Sequence, residues 1–254
     1  MPHPARSPAA WPAIVLAAAA ACHAHTANAQ GAPACTARSG ASIAPVVELY
    51  TSEGCNSCPP ADRWLSRLRS QPGVVALAFH VDYWDRLGWT DRFASPAHTR
   101  RQALQQAVNG ARFSYTPQVV IDGRDRKDWP RVSVGGERPT ATVTIAMSRD
   151  ASGVVATISA ADGAPTRLAA YWTVTEFGHR TDVKSGENHG VTLEHDFVVR
   201  EMLDVPAWSG ARGAAHSLHF KPTTRSEGPH PRRVNLVVID AATGRPVQAL
   251  ALAC

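Results

Sequence analysis

The apolar positions in the first half of the chain fall into short blocks of strand length, separated by stretches with helical spacing. Val46 to Thr51 reads as a buried strand. Between Pro59 and Arg69, the residues Ala61, Trp64, Leu65 and Leu68 recur at i, i+3, i+4 and i+7, one face of a helix. Pro59 and Pro60 suit its first turn, where a missing N–H costs little, and Gln71-Pro72-Gly73 ends it. Val74 to Val81 reads as a second strand, apolar enough to be covered on both faces. Ser95 as N-cap and Pro96 after it open a second helix, with Ala103, Leu104, Ala107 and Val108 as its apolar face. Asn109-Gly110 stops that helix. Gln118 to Ile121 is a third strand, and Asp122-Gly123 a hairpin turn after it. Strand, helix, strand, helix, strand is the order of an α/β domain with a parallel element in its sheet.

The pattern changes after Gly135-Gly136. Thr140 to Met147 alternates, and so does Val154 to Ser159 after the turn signal Asp150-Ala151-Ser152-Gly153. Leu168 to Phe177 is aromatic and β-branched. Phe197 to Leu203, Ser217 to Phe220, Val234 to Asp240 and Val247 to Leu252 follow. Short strands with turns between them predict an all-β, sandwich-like domain over 136–254, after an α/β domain over 45–135.

The N-terminus reads as a processing segment. Arg6 is the first charged residue and the next is Arg38; between them stand Ile14-Val15-Leu16 and five alanines to Ala21. Ala27-Asn28-Ala29 fits a signal-peptidase site, so 1–29 reads as a signal peptide cut before Gln30. Cys22 offers a lipoprotein site instead, but Ala19-Ala20-Ala21 lacks the usual leucine three residues before the cysteine. Gln30 to Ala44 is small and polar, and reads as a flexible leader. An exported protein, periplasmic or secreted and without stable membrane insertion, is the expectation.

Charge adds an exclusion. Without Arg6 the 26 basic residues fall to 25, against 21 acidic ones. They are scattered, and groups such as Arg124-Asp125-Arg126-Lys127 carry acids among them. A nucleic-acid surface needs clustered basic residues with interleaved aromatics, so no nucleic-acid partner is expected. Beyond the signal peptide four cysteines remain: Cys35, Cys55, Cys58 and Cys254. An even number in an oxidising compartment suggests pairs. Cys55 and Cys58 are the local pair, which leaves Cys35 and Cys254 for a structural disulfide between the chain ends.

Cys55-Asn56-Ser57-Cys58 stands where a strand hands over to a helix. Helix-start N–H groups and the positive dipole end favour a thiolate there. Cys55, outside the helix start and nearest solvent, is the expected nucleophile; Cys58, just inside, is the expected resolving thiol. Glu53 opposes a thiolate, and Ser57 can donate a hydrogen bond to it. Two other readings of the pair stay open: an inert structural bond, and half of a soft-metal site such as a copper carrier. A non-catalytic binding protein is a further alternative. No metal ligand set and no cofactor is expected.

The run Glu48 to Asp62 (ELYTSEGCNSCPPAD) resembles the signature of the DUF1223 family, read as exported thioredoxin-like proteins. His80-Val81-Asp82-Tyr83-Trp84-Asp85, Tyr115-Thr116-Pro117-Gln118, Gly186-Glu187-Asn188-His189-Gly190 and His195-Asp196-Phe197-Val198-Val199-Arg200 are similar to it too. The resemblance implies a thioredoxin-like α/β domain followed by a β-rich one. It implies that Thr116-Pro117 is a cis pair facing the cysteines and lining a substrate groove. His80, Asp82 and Trp84, at a strand end and in the loop beyond it, have two open readings: one wall of that groove, with His80 or Asp82 as a proton shuttle to Cys58, or a structural loop with Trp84 and Trp89 as packing anchors. The expected activity is thiol–disulfide oxidoreduction on a protein or small-thiol substrate, with a separate redox partner.

Overall fold

The computed structural model describes residues 1–3, 35–213, 215–225 and 228–254. Except for Met1–His3, the predicted signal peptide, its cut before Gln30 and the alternative at Cys22 lie outside the described residues. The chain divides into two units, Met1–Pro33 and Ala34–Cys254, and the fold below is that of the second.

In chain order its elements are β1 (Cys35–Arg38), β2 (Val46–Thr51), α1 (Pro59–Ser66), β3 (Val75–His80), α2 (Pro96–Val108), β4 (Gln118–Ile121) and β5 (Arg124–Asp125). Then come β6 (Val143–Asp150), β7 (Gly153–Ala160), β8 (Arg167–Glu176), β9 (His179–Asp182), β10 (Thr192–His195), β11 (Val198–Ser209), β12 (Ala215–Phe220), β13 (Arg232–Asp240) and β14 (Pro246–Leu252).

The expected α/β thioredoxin-like domain followed by a separate sandwich does not hold. The protein is mostly β, with two α-helices among the described residues. One eight-stranded sheet, in the order β14-β13-β8-β11-β3-β2-β4-β5, takes strands from both halves of the chain. The reason lies at β3. Its residues are buried throughout, and beyond β2 it still has a free edge. β11 fills that edge in parallel, with Val198 opposite Ala78, and the Ala78 N–H donates to Phe197 O at 2.8 Å. Local alternation gives the order of elements but not the end of a sheet.

A second sheet, β1-β6-β7-β12, covers the β8, β13 and β14 side of the large one. Ile145, Met147, Ile158 and Phe220 meet Trp172, Leu236 and Leu252 between them. On the other half, Val47 and Leu49 of β2 face Ala61, Trp64 and Leu65 of α1 and Leu68 of the turn that follows it, as the helical spacing predicts. β1 lies inside the segment expected to be a flexible leader. It pairs with β6, and the Cys35–Cys254 disulfide holds it, with Cα atoms 6.0 Å apart.

α2 is inverted relative to its apolar pattern. Ser95 caps it, accepting from the Ala97 N–H at 3.2 Å. Yet Leu104 is 62 % exposed and Val108 45 %, while His98, Arg101, Gln102 and Gln105 are buried. The face of β2 that receives the helix is polar. Arg101 pairs with Glu48, and its guanidinium lies 3.6 Å over the Tyr171 ring. Tyr50 and Tyr171 donate to the same carboxylate at 2.7 and 2.6 Å. Gln102 donates to Tyr115 O and to Gln118 Oε1. A buried carboxylate needs these donors more than the helix needs an apolar contact.

The Cys35–Cys254 bond spans 219 residues of sequence. Chain entropy sets an upper limit of about 5 kcal/mol on its contribution. Cys254→Ser is expected to lower stability by up to that amount, read by urea unfolding, while leaving the reactivity of Cys55 and Cys58 unchanged.

Candidate functional site

The β2 strand ends at Thr51, and Ser52-Glu53-Gly54 carry the chain to Cys55. Cys58 is the N-cap residue of α1, and its carbonyl accepts from Ala61 N at 2.8 Å. Cys55 and Cys58 are joined, with Cα atoms 5.5 Å apart. Both side chains are fully buried, whereas Asn56 and Ser57 between them are exposed. This departs from the expectation that Cys55 faces solvent. Position at a helix start does not decide exposure, because segments distant in sequence fold over the loop.

One of those segments carries Thr116-Pro117, and that peptide bond is cis. The Thr116 hydroxyl donates to Cys55 Sγ at 3.3 Å, and Ser57 Oγ lies 3.4 Å from the same sulfur. Trp84 Nε1 donates to Thr116 Oγ1 at 2.8 Å, which fixes the hydroxyl. Trp84 also packs on the cysteine loop, where a Cβ on Gly54 would stand 3.1 Å from the Trp84 Cβ. Thr116 and Trp84 are thus brought to the disulfide.

His80 and Asp82 are not placed as wall residues. His80 is wholly buried, with Nδ1 2.6 Å from Asp91 Oδ2. Asp82 is bound to α2, accepting from Thr99 Oγ1 at 2.5 Å. A strand end that faces a site in an open sheet faces the interior here, because β11 and the loop around Asp91 and Phe93 close over it.

Behind the cysteine loop lies a buried polar cluster. The Glu53 N–H donates to Asp91 Oδ2 at 2.9 Å, and Trp89 Nε1 donates to Glu53 Oε2 at 2.8 Å. His195 Nε2 stands 3.3 Å from Glu53 Oε1, and its ring centroid is 5.0 Å from that of His80. Phe93 lies edge-on to both histidines. Asp62, on the turn of α1 after Cys58, accepts from Thr51 Oγ1 at 3.2 Å. His80 Nε2 and His195 Nδ1 are buried without a hydrogen-bond partner among the described residues.

The charges in this cluster are set by neighbours. Burial pushes the Asp62 carboxyl upward, and the imidazoles of His195 and His80 only partly offset that. Burial also works against ionised Asp91, but His80 outweighs it and holds that carboxyl at about 2. Glu53 is likewise penalised by burial and brought down by its contact with His195. Burial opposes a charged His80, and Asp91 overrides it, raising the imidazole. Glu53 is turned away from Cys55 toward this cluster. Its opposition to a thiolate is therefore weaker than proximity in sequence implies.

The residues between β9 and β10 complete the site. Asn188 Nδ2 donates to Glu53 O at 2.8 Å and Cys55 O at 3.0 Å, and the Asn56 N–H donates to Glu187 Oε2 at 3.2 Å. Ser185 Oγ donates to Gly88 O. Gly186 sits at φ +75°, with its Cβ position 3.2 Å from the Trp89 Cβ, so the close approach needs a glycine. Sequence reasoning noticed Gly186-Glu187-Asn188-His189-Gly190 but had no means of placing it on the cysteines. Asp62 stood only as the end of the family-like run, with no role read from it, and Asp91, a single acid in a loop, gave no signal. Among the described residues no three His, Cys, Asp or Glu side chains converge as a metal site.

The family described as "Protein of unknown function (DUF1223)" matches residues 46–239. No curated protein sequence matches the chain. Among solved structures, protein AGR_C_4864 from Agrobacterium tumefaciens is similar at 25% identity and a TM-score of 0.61, over 84% of this chain and 95% of that one. HBP35 of Porphyromonas gingivalis is similar at 14% identity and a TM-score of 0.60, over 85% of this chain and 76% of that one, a likeness of fold.

The His80–Asp91 pair yields a signed prediction. The stability it gives through Asp91 is present above the unfolded carboxylate value and is lost as pH falls through about 2. The part through His80 is present below the unfolded imidazole value and is lost as pH rises through the raised folded one. Asp91→Asn is therefore expected to destabilise by about 3 kcal/mol near pH 6 and by less at a pH above the raised His80 value. Urea unfolding of both proteins at the two pH values checks it.

Proposed function

This chain belongs to the DUF1223 family, and from that premise we propose that it is an exported thiol–disulfide oxidoreductase working through Cys55 and Cys58. One observation carries the reading: Cys55 Sγ, in a disulfide at a helix start, receives the Thr116 hydroxyl from a segment 61 residues away. Structural disulfides need no such donor. A hydroxyl aimed at one sulfur of the pair stabilises negative charge there. The two disulfides fit an oxidising compartment, which supports export to the periplasm or the medium. No helix among the described residues is long and apolar enough to cross a membrane.

In the oxidising direction, a substrate thiolate attacks Cys55 Sγ. The Cys55–Cys58 bond breaks, and Cys58 leaves with the electron pair and takes up a proton. Asp62, buried one helical turn beyond Cys58, is the group assigned to relay that proton. A second substrate thiolate then attacks the substrate sulfur of the mixed disulfide. Cys55 departs as a thiolate held by the Thr116 and Ser57 hydroxyls. The substrate has become a disulfide, and the protein holds two reduced cysteines. The reducing direction reverses these steps, and a second thiol or disulfide protein resets the pair.

Cys55→Ser is expected to abolish thiol–disulfide exchange. Cys58→Ser is expected to accumulate a mixed disulfide through Cys55, since attack survives and resolution does not. Mass spectrometry of adducts beside an insulin-reduction assay checks both. If both variants keep wild-type exchange, the pair is inert and the reading is wrong.

Thr116→Val keeps the shape and removes the donor. Loss of one hydrogen bond to a charged sulfur is worth about 1.5–3 kcal/mol. The Cys55 thiol pKa in the reduced protein is expected to rise by about one unit or more, read from the pH dependence of iodoacetamide alkylation. An unchanged profile would remove Thr116 from the mechanism.

A further inference from the structure

The disulfide chemistry requires an attacking sulfur to approach Cys55 Sγ along the S–S bond, yet Cys55 is fully buried. Some part of its cover must move. The turn 183–191, at the tip of the β9–β10 arm, is held against the backbone of the cysteine loop at Cys55 O. That arm forms a two-stranded sheet of its own and joins neither large sheet. Residues in the left-handed region stand at both ends of it, Gly178 at φ +69° and Phe197 at φ +57°.

The tip holds the cysteine loop mainly by polar contacts to its backbone. Asn188 donates to the carbonyls of Glu53 and Cys55, and Glu187 accepts from the N–H of Asn56. Adjacent residues thus present donor and acceptor groups to a stretch of main chain. An extended peptide offers the same two kinds of group from its own backbone. Asn188 is buried and Glu187 is exposed, so the pair lies at the boundary between solvent and the sulfur.

Resting on the thiol–disulfide reading, we infer that Glu187 and Asn188 occupy the backbone hydrogen-bonding positions that an extended polypeptide substrate takes over, and so gate Cys55. The substrate class is a cysteine in an unfolded or extended chain. Such a chain replaces the hydrogen bonds it displaces. A small thiol without peptide groups leaves them unmade and works against their full cost.

The test measures opening of the Cys55–Cys58 bond in the folded protein by acid quench and mass spectrometry. The probes are 2-mercaptoethanol and an unfolded polypeptide with one reduced cysteine, at equal thiolate concentration. The wild type is expected to react with the polypeptide at least about tenfold faster. Asn188→Ala removes two hydrogen bonds, and Gly186→Val puts a side chain against Trp89 at a backbone angle that favours glycine. Both are expected to raise the 2-mercaptoethanol rate by about tenfold and to narrow the preference. Either variant, if folded by circular dichroism and a single unfolding transition, suffices. Equal rates of the two probes with the wild type, or variant rates equal to the wild-type rate, overturn the gate while the redox reading stands. If neither probe opens the wild-type bond, the redox reading falls and the gate falls with it.

Discussion

The pairing of β11 with β3 is the contact on which both the sheet and the site depend. A single parallel register, Val198 opposite Ala78, joins the strands that carry the cysteines to those that build the two-sheet core. It also sets where the preceding residues go. β10 ends at His195, three residues before Val198, so the β9–β10 arm is anchored beside the C-terminal ends of β2 and β3. From there Asn188 reaches the Cys55 loop and His195 reaches Glu53. The C-terminal half of the chain is thus part of the site rather than an appended domain.

The cost of this arrangement falls on buried polar groups. Glu48, Arg101, Tyr50 and Tyr171 form one group on one face of β2. Glu53, His80, Asp91, His195 and Asp62 form another near the strand ends, and both retain unpartnered atoms, Arg101 Nε in the first and His80 Nε2 and His195 Nδ1 in the second. The first group fastens α2 to the sheet. The second surrounds the loop whose sulfur must change charge during the proposed reaction. Ion pairs in low dielectric are poor sources of net stability. In the proposed reaction, their placement behind the cysteine loop would influence the charge at the sulfurs.

Local features of the sequence were legible where local chemistry decides them. The helical spacing of Ala61, Trp64, Leu65 and Leu68 gave the buried face of α1 and the turn after it, Ser95-Pro96 gave the start of α2, and β6, β7, β8, β12, β13 and β14 were placed to within a few residues, whereas β9 and β10 were not foreseen and β11 runs on from Leu203 to Ser209. Two kinds of feature were not. The buried face of α2 could not be read from Leu104 and Val108, because Glu48 on β2 draws Arg101 inward, and that pairing spans 53 residues. The sheet's continuity across Gly135-Gly136 depends on a strand contact between positions 78 and 198. At the site, Cys55, Cys58, Thr116 and Trp84 come together, while His80 and Asp82 turn elsewhere, to Asp91 and Thr99. Asn188 and Glu187 were visible as part of a family-like run, but not as contacts of the cysteine loop.

The most direct measurement of the central claim is the equilibrium of the folded protein with graded thiol–disulfide buffers, with the redox state of each cysteine trapped and mapped by mass spectrometry. The account predicts that Cys55–Cys58 is reduced reversibly at a potential above about −300 mV while the protein stays folded. It predicts that Cys35–Cys254 stays oxidised in the same buffers. Reduction of Cys55–Cys58 only on unfolding, or together with Cys35–Cys254, would contradict it.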